Sequence, residues 1–197
     1  MSDGDAAEEI MCATYCALCE HGYADLTMRD IADESTKSKA ALHYHYDSKH
    51  ELLCAFLEYL YARFVERTAD PDGEDARERL LSLVDAVLDK PDDREAFGTA
   101  ILEIRAQAPY EPEFRERLSR INDYLHDEIA AVLKTGVDDG TFGGDIDPDE
   151  TARFIVTVLT GAATERVTTG RPFDCTRETL EAYVEAHLLA DPQEVEA

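Results

Sequence analysis

Apolar residues in this chain recur every three or four positions for almost its whole length, as Leu52, Leu53, Phe56, Leu57, Leu60 and Phe64 do. No alternating apolar and polar run is long enough for a strand. A chain patterned this way buries its hydrophobic surface by packing helix on helix, so the fold class is all-α. Its 197 residues, 44% of them hydrophobic, suffice for one large domain or two small ones without metal or disulfide staples.

Cap signals divide the pattern into elements. A first helix is expected over about 5–20, with Ile10, Ala13, Ala17 and neighbouring cysteines on one face, ended by His21-Gly22, where glycine suits a C-terminal cap. Thr27, with Asp30 three residues on, opens a very short second helix through Ile31-Ala32-Asp33-Glu34. Ser35-Thr36-Lys37-Ser38 breaks it, and Ser38 can cap a third short helix carrying Ala41, Leu42 and Tyr44 or His45. Two short helices joined by about four residues make a helix-turn-helix. Ser48-Lys49-His50-Glu51 is a capping box opening a long fourth helix that bridges two domains, expected at 1–50 and 51–197. Further helices are expected at about 75–88, 93–107, 112–137, 148–169 and 176–189. The best start signal among them is Asp147-Pro148-Asp149-Glu150, with cap, first-turn proline and first-turn acids together.

Charge at first argues against a nucleic-acid partner: 44 acidic against 19 basic residues give a formal net charge of -25. Yet three of the five lysines, Lys37, Lys39 and Lys49, fall between positions 37 and 49, interleaved with His43, Tyr44, His45 and Tyr46. Arginine outnumbers lysine 14 to 5, and the acids are spread along the chain rather than gathered in a tail, a composition suited to molar salt and a halophilic origin. There the Debye length falls to about 3 Å, so distant carboxylates hardly repel a phosphate while direct contacts survive. The window is therefore read as facing double-stranded DNA.

Spacing sharpens that reading. Gly22-Tyr23, Thr27 with Ile31-Ala32, Ser38, Leu42, His45-Tyr46, and Lys49 with Leu52-Leu53 fall in the order and intervals of the DNA-binding domain of TetR-family (TetR/AcrR) transcriptional regulators, which the stretch from Gly22 to Leu53 resembles. The chain departs from that pattern at Thr36 and Lys37 for the usual turn glycine and apolar residue, at Ala40 for a glycine, and at His43 for a tyrosine. On this reading Thr27 and Lys49 hold phosphates at helix N-termini. Lys37 and Lys39 add point charges, and Ser38, Ala40, His43, Tyr44 and His45 lie on or near the recognition helix that enters the major groove. Leu42 and Tyr46 are expected in the small core.

Five cysteines without paired spacing suit reduced thiols. Cys12, Cys16 and Cys19 have the Cys-x3-Cys-x2-Cys spacing of radical S-adenosylmethionine enzymes, but such enzymes need strands that this chain does not offer. The same spacing is one helical face, read as a core stripe. A thiol- or metal-based redox sensor using these three, with Cys54 near them, is the alternative function. No nucleophile, base and orienting group converge, so no enzyme, no catalytic residue, no cofactor and no metal is expected.

The resemblance implies, beyond the fourth helix, a larger helical domain that dimerises and binds a small-molecule effector. The connector Gly136 to Phe142 followed by Asp145-Ile-Asp147-Pro148 resembles the family's, and its carboxylates lack a calcium-loop spacing. Dimerisation is assigned to Phe154, Val158, Gly161 and Ala162 on one helix and Leu180, Tyr183 and Val184 on the last. The homodimer would read a palindromic operator with its recognition helices about 34 Å apart. Phe64, Leu83, Phe97, Ile101, Tyr124 and Leu125 are candidate walls of an effector site, with Glu103, Arg105, Asn122 and His126 as polar anchors. No apolar run reaches the roughly 20 residues that span a bilayer, and no signal peptide is legible, so a cytoplasmic repressor without a membrane partner is expected.

Overall fold

Among the described residues of the structure, a computed structural model, nine α-helices and one π-helical turn follow one another. They are α1 (Asp3–Asp25), α2 (Met28–Asp33), α3 (Lys39–His45), α4 (Lys49–Thr68), α5 (Ala76–Leu88), α6 (Glu95–Gln107), α7 (Pro112–Asp139), α8 (Pro148–Thr169) and α9 (Asp174–Tyr183), the last running into the π turn Val184–Leu188. The structure describes the backbone of residues 3–36, 39–88 and 95–190, and the side chains of 6–36, 42–88 and 96–190. The all-α architecture follows the periodicity, with helix-turn-helix elements at the N-terminal end and a larger set of helices after them.

Helix boundaries follow the local caps. Asp147 accepts the backbone N–H groups of Asp149 and Glu150 at 3.0 and 3.1 Å with proline in the first turn, and α8 starts at Pro148 as expected. Ser48 accepts the Glu51 N–H at 3.1 Å. Glu51 returns its carboxylate to the N–H of Asp47 at 2.7 Å, one residue earlier than a standard capping box. α1 extends beyond its expected end because the chain re-forms a turn after Gly22, whose φ of 69° and ψ of 175° interrupt the helix in a region only glycine enters freely.

The chain divides into two compact units that no single cut separates: residues 1–63 with 93–120, and 64–92 with 121–197. α4 and α7 each contribute residues to both. The expected cut after residue 50 does not coincide with this division: packing groups α6 and the start of α7 with the N-terminal helices. In the first unit α1 packs mainly on α6, and the core joins Ile10, Ala13, Ala17 and Leu18 to Ile31, Leu42, Leu53, Phe56, Ala100 and Phe114. The second unit is built on Leu80, Leu83, Ile129, Leu133, Phe142, Ile155 and Leu159. There Gly136 lets Phe142 lie against α7, since a Cβ at Gly136 would come within 2.2 Å of that ring.

Candidate nucleic-acid interface

Thr27 builds the start of α2. Its hydroxyl oxygen accepts the N–H groups of Arg29 and Asp30, and Asp30 accepts both the Thr27 N–H at 2.8 Å and its hydroxyl at 2.7 Å. Those hydrogen bonds hold the Asp30 carboxyl below its usual range. The hydroxyl and N–H expected to hold a phosphate are therefore engaged by the chain's own carboxylate. In this arrangement Thr27 fixes where α2 begins.

The turn after α2 is set from a distance. Glu9 of α1 accepts the backbone N–H of Thr36 at 2.9 Å, the Ser35 hydroxyl at 3.3 Å, and the Thr36 hydroxyl. No non-glycine residue has positive φ among the described residues, so threonine at the family's glycine position is tolerated there without left-handed backbone. Lys37 and Ser38 lie outside the described residues, and Lys39 and Ala40 are placed on α3 by backbone alone.

α3 presents two unlike faces. Leu42 is fully buried and Tyr46, just beyond the helix, packs on the same core, as expected. His43, Tyr44 and His45 are exposed, Tyr44 at 86%, with the Tyr44 and His45 rings edge-on at 5.3 Å. An aromatic side chain that exposed contributes nothing to the core and leaves its ring and hydroxyl free for a partner.

Lys49 does not stand free beside α3. Its ammonium donates to the carbonyls of Tyr23 at 2.8 Å and Leu26 at 2.9 Å and sits 4.8 Å from the centroid of the Tyr23 ring. Burial lowers its pKa, opposed by Asp25. Glu103 works on the same link: its carboxylate accepts the Tyr23 N–H at 2.5 Å, beside Gly22. It is thus a structural acceptor in the first unit, where an effector anchor was expected. Glu9 and Glu103 escape a reading of the sequence because each meets its partner 27 or 80 positions away, with no local signature.

The ten effector candidates fall in different units, Leu83 and Leu125 being buried in the second core. Phe97, Ile101 and Arg105 lie on α6, where the Phe97 ring is tilted against Tyr15 with centroids 4.5 Å apart and both Phe97 and Ile101 pack on the first core; burial lowers the Arg105 pKa. Phe64, Asn122, Tyr124 and His126 belong to the second unit, with Phe64 and Tyr124 edge-on at 6.0 Å. His126 points its ring nitrogens toward Asp127 at 3.2 Å and the Asp149 carbonyl at 3.3 Å. The second unit also holds a cavity of about 250 Å³ lined by Arg67, Thr68, Asp72, Ser82, Leu83 and Asp85 among others; of the ten candidates Leu83 alone lines it.

Of the expected dimer residues, Phe154 and Gly161 are exposed and Val158 and Tyr183 half-buried, whereas Ala162, Leu180 and Val184 are buried. Leu180 and Val184 belong to the second core. The cysteine reading is corrected: Cys12 is exposed, Cys16 and Cys19 are half-buried, and the core stripe of α1 is Ile10, Ala13, Ala17 and Leu18. Among the described residues these three sulfurs form no group able to hold a metal, so the sensor built on them lacks support, and Cys54 lies instead beside His50 and Glu113.

Comparison with known proteins agrees with the geometry. Residues 10–56 match the family model described as bacterial regulatory proteins, tetR family, and residues 76–190 match that of the BetI-type transcriptional repressor C-terminal region. The chain is 32% identical to the HTH-type transcriptional repressor KstR2 of Rhodococcus jostii over 140 residues, 69% of this chain and 67% of that one. It is 25% identical to the repressor AcnR of Corynebacterium efficiens over 90% of this chain and 89% of that one. Among solved structures, it resembles a TetR transcription regulator from Haloarcula marismortui (TM-score 0.88, 43% identity, covering 94% of this chain and 99% of that one). It also resembles a transcriptional regulator from Saccharomonospora viridis in complex with choline (TM-score 0.81, 26% identity, covering 96% of this chain and 100% of that one).

Proposed function

Because this chain belongs to the TetR family of transcriptional regulators, a family of ligand-responsive DNA-binding repressors rather than enzymes, we propose that α3 is its recognition helix. Tyr44, His43 and His45 read the major groove, with Lys39 and Ala40 on the same helix and Lys37 and Ser38 just before it. The observation that carries this is the contrast on α3 between a fully buried Leu42 and a Tyr44 that is 86% exposed. Lys49 and Thr27 take a share in phosphate contact only through the third ammonium proton and through the position of α2.

The protein works as a homodimer on a palindromic operator, and the exposed face of α8 around Phe154, Val158 and Gly161 is where we place the partner. Residues 1–50 carry DNA reading, and 51–197 carry dimerisation and effector binding. The effector site is proposed to draw on the candidates of the second unit, Phe64, Asn122 and Tyr124, and ligand binding there shifts α4 and releases the operator. Among the described residues no helix is long and apolar enough to cross a membrane, and a cytoplasmic location is part of the proposal. So is a high-salt setting, supported by the acid excess and the likeness to the Haloarcula marismortui regulator.

The test is a titration with operator DNA selected from random duplexes. Tyr44→Ala should weaken specific binding by about 1–3 kcal/mol with unchanged thermal stability. Lys39→Ala should weaken binding to all sequences and lower the salt slope by about 1. Full affinity in both variants would remove α3 as the reading helix.

A further inference from the structure

His50 and Cys54 stand one turn apart on α4, and Glu113 stands in the first turn of α7, all within the first unit. Their potential ligand atoms converge: Cys54 Sγ lies 3.6 Å from His50 Nε2 and 3.6 Å from Glu113 Oε2, and Nε2 lies 2.6 Å from Oε2. No other group of three such side chains meets this closely among the described residues. The DNA-reading role uses none of the three.

With zinc bond lengths of about 2.3 Å to sulfur and about 2.0–2.2 Å to nitrogen and oxygen, tetrahedral ligation puts sulfur about 3.6 Å from each other atom and nitrogen about 3.4 Å from oxygen. Both sulfur distances already meet that requirement. Only the hydrogen-bonded nitrogen and oxygen must part, by less than about 1 Å, roughly a side-chain rotation of an exposed glutamate. The imidazole is held in a fixed orientation, its ring stacked on Phe114 with centroids 4.8 Å apart and 23° between planes. Its other nitrogen, Nδ1, faces Glu111 Oε2 at 3.8 Å, beyond hydrogen-bond distance but on the side from which a carboxylate can orient a metal-bound histidine.

We propose that His50, Cys54 and Glu113 form a binding site for a Zn²⁺-class divalent transition ion, with water as the fourth ligand, that ties the first turns of α4 to the start of α7. The half-exposed His50 and exposed Glu113 give the ion a way in, while Cys54, 5% exposed, forms the floor. On binding, the Cys54 S–H bond breaks, its proton leaves to solvent and the sulfur lone pair binds the metal. The proton shared by His50 Nε2 and Glu113 Oε2 also leaves, to solvent, or to Nδ1 if the ring is neutral, so that Nε2 and Oε2 offer lone pairs and the ring keeps one proton on Nδ1, toward Glu111. Burial first, then the Glu113 hydrogen bond, push the free thiol up to about 11 against the pull of Arg117. A bound dication supplies the charge that thiolate formation needs. Sulfur and imidazole together select zinc or cobalt over magnesium or calcium. The clamp would act on the helix that begins four residues after the recognition helix ends.

Co²⁺ titration of the full-length reduced chain tests this. A near-ultraviolet sulfur-to-cobalt charge-transfer band should saturate at equimolar metal and be bleached by Zn²⁺. Cys54→Ser and His50→Ala should abolish it, Glu113→Gln should weaken Co²⁺ binding on the order of 10-fold or more, and a Cys12→Ser, Cys16→Ser, Cys19→Ser variant should keep it. Absence of the band in the native chain, its survival in Cys54→Ser, or its loss in the triple variant would overturn the proposal. Should Cys54→Ser not fold by circular dichroism, the exposed Glu113→Gln decides: unchanged Co²⁺ affinity there is equally fatal.

Discussion

Lys49 illustrates how one side chain divides its work. A lysine at the start of a helix beside a recognition helix reads as a phosphate ligand, yet two of its three protons go to the carbonyls of Tyr23 and Leu26. Its removal leaves those carbonyls without their cation and loosens the link from α1 to α2. Lys49→Ala should therefore lower stability by about 1–2 kcal/mol as well as operator affinity. Lys39→Ala should lower affinity alone. Denaturant melts of both variants separate the two roles, and an unchanged midpoint for Lys49→Ala would return it to the phosphate reading. Tyr44 is the opposite case, a residue whose exposure leaves it almost nothing to do within the fold.

Short helices depend on their ends, and α2, from Met28 to Asp33, depends on Thr27 and Asp30. The Thr27 hydroxyl and N–H favour the ionised Asp30, lowering its pKa from 3.8. A carboxyl whose folded pKa is depressed adds stability that is present above the unfolded value and disappears as pH falls through the folded one. Native chain and Asp30→Asn should thus differ in melting temperature at neutral pH and converge as the pH falls through the lowered folded value of Asp30, leaving the rest of the acid transition common to both. A constant gap across that range would mean the box contributes nothing through charge. At the other end of the link, Gly22 turns the chain at φ 69° so that the Tyr23 N–H meets Glu103, joining α1 to α6. Elements 80 positions apart in sequence thereby become one structural unit.

Across the whole molecule the dominant quantity is the net charge of -25. Carboxylates on every helix but α3 repel one another, and screening relieves the repulsion without touching the apolar cores. Melting temperature should rise by on the order of 10 °C between about 0.1 and 2 M KCl. A flat or falling trend would remove the high-salt setting. On the proposed reading the same screening leaves operator binding to contacts within a few ångströms, and α3, with its exposed aromatic and imidazole groups, would matter more than any broad attractive field.

Sequence by itself determined what is settled within about four residues along the chain. Caps donate and accept across one turn, so Asp147 and Thr27 announced α8 and α2, and the buried period of Leu42, Leu53 and Phe56 announced helices and their inner faces. Tertiary structure alone decided which distant groups meet. Glu9 fixes the turn, Glu103 fixes the link, Lys49 serves two carbonyls, and Leu180 and Val184 enter the second core. It also set Glu113 against His50 and Cys54, a trio of which only the one-turn spacing of the last two could be read in advance. The physical reason is range: a local hydrogen bond is written in neighbouring letters, whereas a contact made by packing depends on how every helix face is satisfied at once.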